Sequence, residues 1–344
     1  MNTITFGRRI APGLALCTGI TVISYGLEAV EIRLFGYAYV SALVLAILIG
    51  IGLRTAWRPA ETWSPGIAFS GRMLLEVAVV LLGASISLQN IAAAGGPLIA
   101  GIAGVVAIAV VASYLIGRAC GLTWRMATLI ACGNSICGNS AIAAVAPVIN
   151  ADSRDIAASI AFTAVLGVVV VLGLPILIPL LGLTMTQYGV VAGLTVYAVP
   201  QVLAATVPIS AASAQIGTLV KLVRVLMLGP MVLLISLAMS FAPRKETASA
   251  NPRRLPLSRF VPWFIIGFLV LAALRSLGIL TDLVAVPLLL TANVLAVVAM
   301  AALGLEVDLG VVAQLSGRVT TAVCLSLVLL LAISLSLVAL LGVG

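Results

Sequence analysis

Long apolar runs alternate with short polar separators along almost the whole sequence. Because an α-helix needs about 20 apolar residues to cross the hydrocarbon core of a bilayer, each run is a candidate transmembrane helix. Eleven runs occur, at residues 10–30, 35–53, 65–88, 96–117, 124–149, 155–181, 187–207, 214–242, 260–278, 282–305 and 319–342. The pattern therefore predicts an all-α, polytopic membrane protein of about eleven transmembrane helices, with residues 1–344 in a single transmembrane domain.

The composition excludes a soluble globular protein. Hydrophobic residues make up 63% of the chain and charged residues 8%, against about a quarter charged residues in ordinary soluble domains. The net charge of +8 is spread thinly between the apolar runs, which is typical of orientation signals at a membrane face and not of a nucleic-acid-binding stripe. The sequence contains no histidine, which excludes Ser-His-Asp and Cys-His catalysis and histidine metal ligands. The five cysteines form no C-x-x-C motif, and we expect them to be small buried residues and not metal or disulfide partners.

Basic residues predict the orientation of the chain, since Lys and Arg concentrate in cytoplasmic loops. With the N-terminus in the cytoplasm and eleven crossings, thirteen basic residues face inward and three (Arg33, Arg154 and Arg275) face outward. Five of the inward residues lie in 243–259, the one long polar loop, which separates the two halves of the chain. We therefore expect this loop and the N-terminus to be cytoplasmic and the C-terminus to lie outside.

The fifth run carries the most unusual polar residues at membrane depth. Glycine costs about 1 kcal/mol in a helix interior, and Asn and Ser favour helix caps over helix middles. In lipid, a broken helix is tolerated only where it is buried in protein or lines a cavity, and the start of a half-helix attracts an anion. We expect a break near 133–139 with Asn139 or Ser140 capping the second half-helix; close packing of small residues is the alternative. The residues in question form two Gly-Asn-Ser triplets: Gly133, Asn134, Ser135, Gly138, Asn139 and Ser140.

A second candidate segment lies in the seventh run, at residues 195–206. Pro200 lacks a backbone donor and therefore predicts a kink. Tyr197 and Gln201 place further polar atoms at the same depth. We expect both side chains to contribute to the same binding site as the fifth run.

Lys221, Arg224 and Glu76 are charged side chains within predicted transmembrane runs. Lys221 and Arg224 are three residues apart and therefore share one helix face. A charge at the bilayer centre costs about 3 kcal/mol on insertion scales, so the pair either faces an anion pathway or snorkels from near the end of its helix. Glu76 lies one turn from Arg72 and either pairs with it or supplies a carboxylate for coupling to sodium or protons.

Two internal matches indicate a repeat but disagree on its register. Residues 139–149 align without gaps to 200–210, and residues 82–88 align to 303–309. The second pair lies in runs that would cross in opposite directions, as an inverted repeat requires, whereas the fifth and seventh runs would cross in the same direction. We expect an inverted architecture and leave its register open.

With these residues in view, the chain resembles the sulfate exporter family of bacterial inner-membrane proteins. The resemblance covers nearly the whole chain and rests on residues 137–149, 220–226 and 299–309. The family is distantly similar to the bile-acid/sodium symporters and the sodium/proton antiporters, which implies inverted five-helix repeats, a core and a panel domain, and crossed broken helices around the site. Many members carry a His-Asp pair where this chain has Tyr197 and Ala198, so proton coupling at that position is not carried over.

The resemblance and the polar residues together predict a secondary active transporter of a small anion (sulfate, a sulfonate or a carboxylate), with export as one possible direction. No cofactor is expected. An anion channel is the first alternative, although channels use rings of repeated polar residues. An intramembrane enzyme is the second, and its Ser/Lys dyad would require Lys221 within hydrogen-bond reach of Ser135 or Ser140. The expected partners are the substrate and the lipid bilayer, with no nucleic acid, and a homodimer is left open. The predicted substrate-binding residues are Gly133, Asn134, Ser135, Gly138, Asn139, Ser140, Tyr197, Gln201, Lys221 and Arg224, with Glu76 as the coupling residue.

Overall fold

The computed structural model describes residues 3–36, 40–57, 59–85, 88–241, 263–307 and 317–342. These residues form helices joined by short turns. The predicted 243–259 loop lies outside the described residues. In chain order the helices are α1 Thr3–Phe35, α2 Ala42–Ala56, α3 Ser64–Ser85, α4 Leu88–Ala119, α5 Trp124–Cys132, α6 Asn139–Val145, α7 Ser153–Leu181, α8 Met185–Thr195, α9 Val199–Thr206, α10 Ala211–Leu226, α11 Leu228–Phe241, α12 Trp263–Ser276, α13 Asp282–Glu306 and α14 Gly317–Leu341.

Seven helical stretches in the described chain are long and apolar enough to cross a bilayer. They are α1, α3, α4, α7, the continuous pair α10–α11, α13 and α14. Two further apolar helices, α2 and α12, are shorter, with 15 and 14 residues. The prediction of an all-α polytopic membrane protein is therefore confirmed. The remaining two of the eleven predicted runs are the fifth and seventh, and both are interrupted.

The seventh run folds back on itself as a helical hairpin of α8 and α9, called hairpin 2. The hydroxyl of Tyr188, near the start of α8, donates a 2.7 Å hydrogen bond to the carbonyl of Ala205, near the end of α9. Ser213, at the start of α10, donates to the carbonyl of Met185 at 2.7 Å. The end of α9 and the start of α10 therefore lie level with the start of α8. Hairpin 2 returns to the end of the bundle at which it began, which we call end B.

The fifth run forms a similar hairpin of α5 and α6, called hairpin 1. Ser159 of α7 contacts the sulfur of Met126 in α5 at 3.4 Å, and further along the same two elements Thr163 approaches Gly133. The α5 and α7 helices therefore run in the same direction. Since α7 begins a few residues after α6 ends, α6 must return to the end where α5 started. That end, called end A, lies opposite end B because α7 runs between them.

These two hairpins correct the expectation that the fifth and seventh runs cross in the same direction. Hairpin 1 enters from end A and hairpin 2 from end B, so their returning arms, α6 and α9, run in opposite directions. A run of about 20 apolar residues with a break in its middle can either cross or return, and length alone does not distinguish the two outcomes.

The helices pack into two groups. The panel group contains α1, α2, α3, α12 and α13, and the core group contains α4 to α11 and α14. Glycines permit close backbone approach inside the panel group: a Cβ at Gly83 would collide with the carbonyl oxygen of Phe268 in α12, and a Cβ at Gly304 with that of Ile47 in α2. The two groups meet where α9 packs against α3 and α13, and where α12 packs against α4.

Candidate functional site

The tip of hairpin 1 is a break that only glycine accommodates easily. The α5 helix passes into a π-helical turn over Gly133–Cys137, and α6 begins at Asn139. Between them Gly138 has φ 60° and ψ −123°, the mirror image of a conformation that L-residues prefer. The predicted break is therefore confirmed. Its predicted cap is wrong, because Gly138 occupies the N-cap position without a side-chain cap, and Asn139 Oδ1 instead accepts a 2.5 Å hydrogen bond from Thr163 Oγ1.

The tip of hairpin 2 is an extended stretch rather than a kink at proline. The α8 helix ends at Thr195, and Val196 and Ala198 take extended conformations with ψ of 144° and 150°. Pro200 then lies in the first turn of α9, where its missing N–H costs no helical hydrogen bond. The Gln201 side chain accepts from the Ala198 N–H at 3.2 Å, so this predicted ligand residue fixes the start of α9.

The cations Lys221 and Arg224 join the two tips. Both side chains are 0% exposed, so of the two alternatives left open by the sequence, snorkelling is wrong. Lys221 Nζ donates to the Ile136 carbonyl of hairpin 1 at 2.7 Å and to the Val196 carbonyl of hairpin 2 at 2.9 Å. Lys221 lies ten residues into the 29-residue stretch Ala211–Met239, about 15 Å along a helix of roughly 43 Å. The two tips therefore meet about one third of the way along this stretch from end B.

Arg224 repeats this bridge with a second set of carbonyls. On hairpin 1 it donates to Asn134 O at 3.0 Å and Ser135 O at 3.2 Å. On hairpin 2 it donates to Gly193 O at 2.8 Å and Val196 O at 3.3 Å. These carbonyls lie in the turn that follows α5 and at the C-terminal end of α8, and the C-terminal end of a helix carries negative partial charge. The two cations thus bind backbone carbonyls at the ends of both α5 and α8.

Formal positive charge exceeds formal negative charge at this junction. Neither Lys221 nor Arg224 forms a salt bridge within the described chain; the described bridges are Arg72–Glu76 and Arg275–Asp282. Buried cations normally require an anionic partner or several dipoles, because burial of an uncompensated charge is costly. Helix-end carbonyls supply part of this compensation through their partial negative charge.

Three buried polar side-chain atoms near the tips have no hydrogen-bond partner in the described structure. They are Asn134 Oδ1, Ser135 Oγ and Tyr197 OH, on residues at most 2% exposed. A buried unpaired polar atom costs about 1–3 kcal/mol, and native proteins usually satisfy such atoms with a ligand or ordered water. Two of these atoms are hydroxyls that can donate to an anion.

The two hairpins differ in how open they are. Asn139 and Ser140 at the start of α6 are exposed, although their position is level with the buried tips. The α6 helix packs on its own core group, against α5, α7 and α11, whereas α9 packs against the panel helices α3 and α13. A cavity of about 250 Å³ remains on the α9 side, lined among others by Leu82, Leu203 and Asn293. The start of α6 is therefore more exposed than α9, whereas the cavity lies on the α9 side.

The predicted coupling residue Glu76 lies apart from this junction. Its carboxylate accepts a 2.5 Å hydrogen bond from Trp263 Nε1 and lies 3.6 Å from Arg72 Nε. Arg72 lies eight residues into α3, and Trp263 is the first residue of α12. The structure thus gives Glu76 the pairing role that the sequence left as an alternative.

The sequence analysis did not identify several residues that contribute backbone or side-chain contacts to the junction of the two hairpin tips. Thr163 holds Asn139 from α7, and Gly193 presents a carbonyl to Arg224. A Cβ at Gly193 would crowd the Gly217 carbonyl of α10, so this pair of glycines brings α8 close enough for that hydrogen bond. A spacing of four between Gly189 and Gly193 is a signal of close helix packing that could have indicated it.

The fold and the buried polar junction define a polytopic α-helical membrane protein. A family model described as Conserved hypothetical protein 698 matches residues 12–323, and the chain belongs to this family. Similar proteins include a UPF0324 membrane protein of Bradyrhizobium diazoefficiens, 58% identical over 94% of this chain and 90% of that protein. Others are UPF0324 membrane proteins of Brucella melitensis (55% identical, 100% and 95% covered) and Bacillus cereus (35% identical, 83% and 84% covered). No solved structure shows a significant match.

Proposed function

We propose that this protein is a secondary active transporter of a small anion (sulfate, a sulfonate or a carboxylate) that works by alternating access to the hairpin tips. The observation that carries the proposal is the meeting of two broken segments around Lys221 and Arg224, which are fully buried and without a described salt-bridge partner. An anion entering between the tips would complete the charge balance and pair with the free hydroxyls of Ser135 and Tyr197.

The hairpins support a topology of nine crossings and two re-entrant segments. On this topology α2, α3 and α4 correspond to α12, α13 and α14, and hairpin 1 and α7 correspond to hairpin 2 and α10, with each pair oppositely directed. The second set is circularly permuted, because hairpin 2 and α10 precede α12 in the chain. Both internal sequence matches then pair equivalent elements: residues 82–85 and 303–306 end α3 and α13, and the other match covers the returning arms, α6 and most of α9. Gly83 and Gly304 occupy equivalent positions in this scheme, and each packs against a carbonyl of the partner panel helix.

The same topology supports an inner-membrane orientation with end A in the cytoplasm. Arg154, at the start of α7, moves from the outer to the inner side because hairpin 1 does not cross. The basic residues are then fourteen inside against two outside, Arg33 and Arg275, which agrees better with the preference of Lys and Arg for cytoplasmic loops.

Alternating access would exchange the roles of the two returning arms. The α9 helix contacts the panel group, whereas α6 packs on α5, α7 and α11 and begins with the exposed Asn139 and Ser140, which supports an opening of the tips along α6 toward the cytoplasmic end. A rotation of the core group against the panel group that closes α6 and frees α9 would open the same tips to the other side. The cavity beside Leu203 marks the interface at which that opening would begin.

The alternatives are less well supported by the geometry. A Ser/Lys dyad needs a serine hydroxyl beside Lys221, whereas Lys221 Nζ donates to two carbonyls and Ser135 Oγ has no described partner. A channel needs a continuous pore in one state, whereas here the packing of α9 on the panel group closes one side.

A binding screen followed by flux tests this proposal. Purified protein would be melted with sulfate, methanesulfonate or acetate, since a ligand that binds only the folded state raises its melting temperature. We expect at least one anion to stabilise the wild type and not Ser135→Ala with Tyr197→Phe, and to be taken up by proteoliposomes against a counter-gradient of the same anion. Absence of stabilisation and of exchange with all three anions would reject the transporter proposal.

A further inference from the structure

The chain uses lysine in an unusual way. Only two of its eighteen basic residues are lysines, Lys221 and Lys245, and the rest are arginines. Lys221 is fully buried at the hairpin tips, one turn from Arg224. A lysine ammonium can give up its proton inside a protein, whereas a guanidinium keeps its charge. The two cations of the site are therefore chemically different despite their similar contacts.

The hydrogen bonds of Lys221 fit both of its protonation states. Its Nζ donates to Ile136 O at 2.7 Å and to Val196 O at 2.9 Å. A neutral amine has two N–H groups, which is the number these two carbonyls require. The third proton of the ammonium has no acceptor among the described residues and is available to a substrate or to water. Lys221 can thus lose a proton without losing either contact with the tips.

The groups facing Lys221 include no carboxylate or histidine among the described residues. Arg224 lies on its own helix, and Cys137 of hairpin 1 also interacts with it electrostatically. Tyr197 of hairpin 2 lies beside Arg224, and Cys324 of α14 lies beside Tyr197. Proton-coupled transporters commonly use Asp, Glu or His for the proton, and those residue types are missing at this junction.

We propose that Lys221 is the proton-coupling residue of the transporter, so that one proton moves with each bound anion. This inference rests on the proposed transport function. In the loaded site Lys221 is an ammonium whose third N–H donates to the anion. When the anion leaves, that N–H bond breaks, the proton passes to water in the open cleft, and the electron pair stays on Nζ. The empty carrier then returns with a neutral amine, which reduces the buried charge that must cross between states.

Proton uptake on binding tests this step directly. Detergent-solubilised wild type at pH 7.5, in weak buffer with a pH-indicator dye, would be mixed with sulfate, methanesulfonate or acetate while binding is followed in parallel. We expect about one proton taken up per anion bound, and an affinity that falls up to tenfold per pH unit above the pH at which the empty site loses its proton.

Three variants make the result specific to Lys221. Lys221→Arg should bind the anion without proton uptake and with a flat pH profile, because arginine stays charged. Lys221→Met covers the case in which the larger arginine prevents folding, and we expect it to melt cooperatively and bind at least tenfold more weakly at pH 6. Arg318→Lys, at the exposed start of α14, is the matched control and should behave as wild type.

The outcomes separate the two proposals. Binding by wild type without proton uptake, or uptake that persists in Lys221→Arg, would overturn the coupling role and leave anion transport standing. Failure of wild type to bind any of the three anions would reject the transport function and the coupling role together.

Discussion

Gly138 is the position where one methyl group should most clearly separate a broken helix from a continuous one. Its φ of 60° and ψ of −123° lie where an L-residue is strained by about 1–3 kcal/mol. An alanine Cβ at this position would also lie 3.3 Å from the Tyr197 Cβ of the facing hairpin, which is tighter than normal packing. We expect Gly138→Ala to destabilise the protein by about 2–3 kcal/mol and to push the two tips apart.

Two other glycines provide controls for the separate parts of that cost. Gly182 has φ 62° and ψ 35°, an ordinary left-handed conformation, and open space lies where an alanine methyl group would be placed, so Gly182→Ala should cost about 1 kcal/mol. Gly52 lies inside α2 with open space around it, and Gly52→Ala should stabilise by about 0.5–1 kcal/mol. Gly138→Ala thus tests backbone strain together with a close contact, and Gly182→Ala tests backbone strain alone. Gly52→Ala tests a position that has neither strain nor contact.

Thermal melts in detergent and anion titrations would measure these effects. At roughly 2 °C per kcal/mol for a large chain, Gly138→Ala should melt about 4–6 °C below wild type, and Gly182→Ala about 2 °C below. Anion affinity should fall at least tenfold in Gly138→Ala alone, since Gly182 is remote from the tips. If Gly138→Ala melted with the wild type and bound the anion equally well, the strained break would not be part of the site.

Three further predictions address access, charge and topology. A cysteine in place of Asn139 should react with a water-soluble thiol reagent added from the cytoplasmic side. A cysteine in place of Leu203, which is 2% exposed, should not react. Equal labelling of both cysteines would contradict an opening at end A. Arg224→Met loses four hydrogen bonds to carbonyls at the tips and should cost about 1–3 kcal/mol for each buried carbonyl left unpaired. Arg72→Met, whose side chain is 85% exposed, should cost less than about 0.5 kcal/mol. Comparable melting of the two variants would show that the Arg224 hydrogen bonds do not hold the tips together. A reporter active only in the periplasm should stay silent when inserted after Ala151, because the proposed topology returns hairpin 1 to the cytoplasmic side. Signal there would restore a crossing fifth segment.

The sequence alone determined the class of protein and the position of the first break. Apolar runs of about 20 residues and a charged fraction of 8% require a bilayer as solvent, and this follows from composition without any contact being known. The break between Gly133 and Asn139 was also predictable, because glycine, asparagine and serine all disfavour helix interiors. These preferences affect only the backbone within a few residues of each side chain. Local preferences of this kind do not depend on the rest of the fold.

Tertiary structure decided the direction of the chain after each break and the role of the buried cations. Whether a broken run crosses or returns depends on contacts with distant elements, such as Ser159 with Met126 and Tyr188 with Ala205. The same holds for Lys221, whose partners Ile136 and Val196 lie 85 and 25 residues away. Spacing along α10 shows that two cations share a face, but which carbonyls meet that face is fixed only when both hairpins have folded around it.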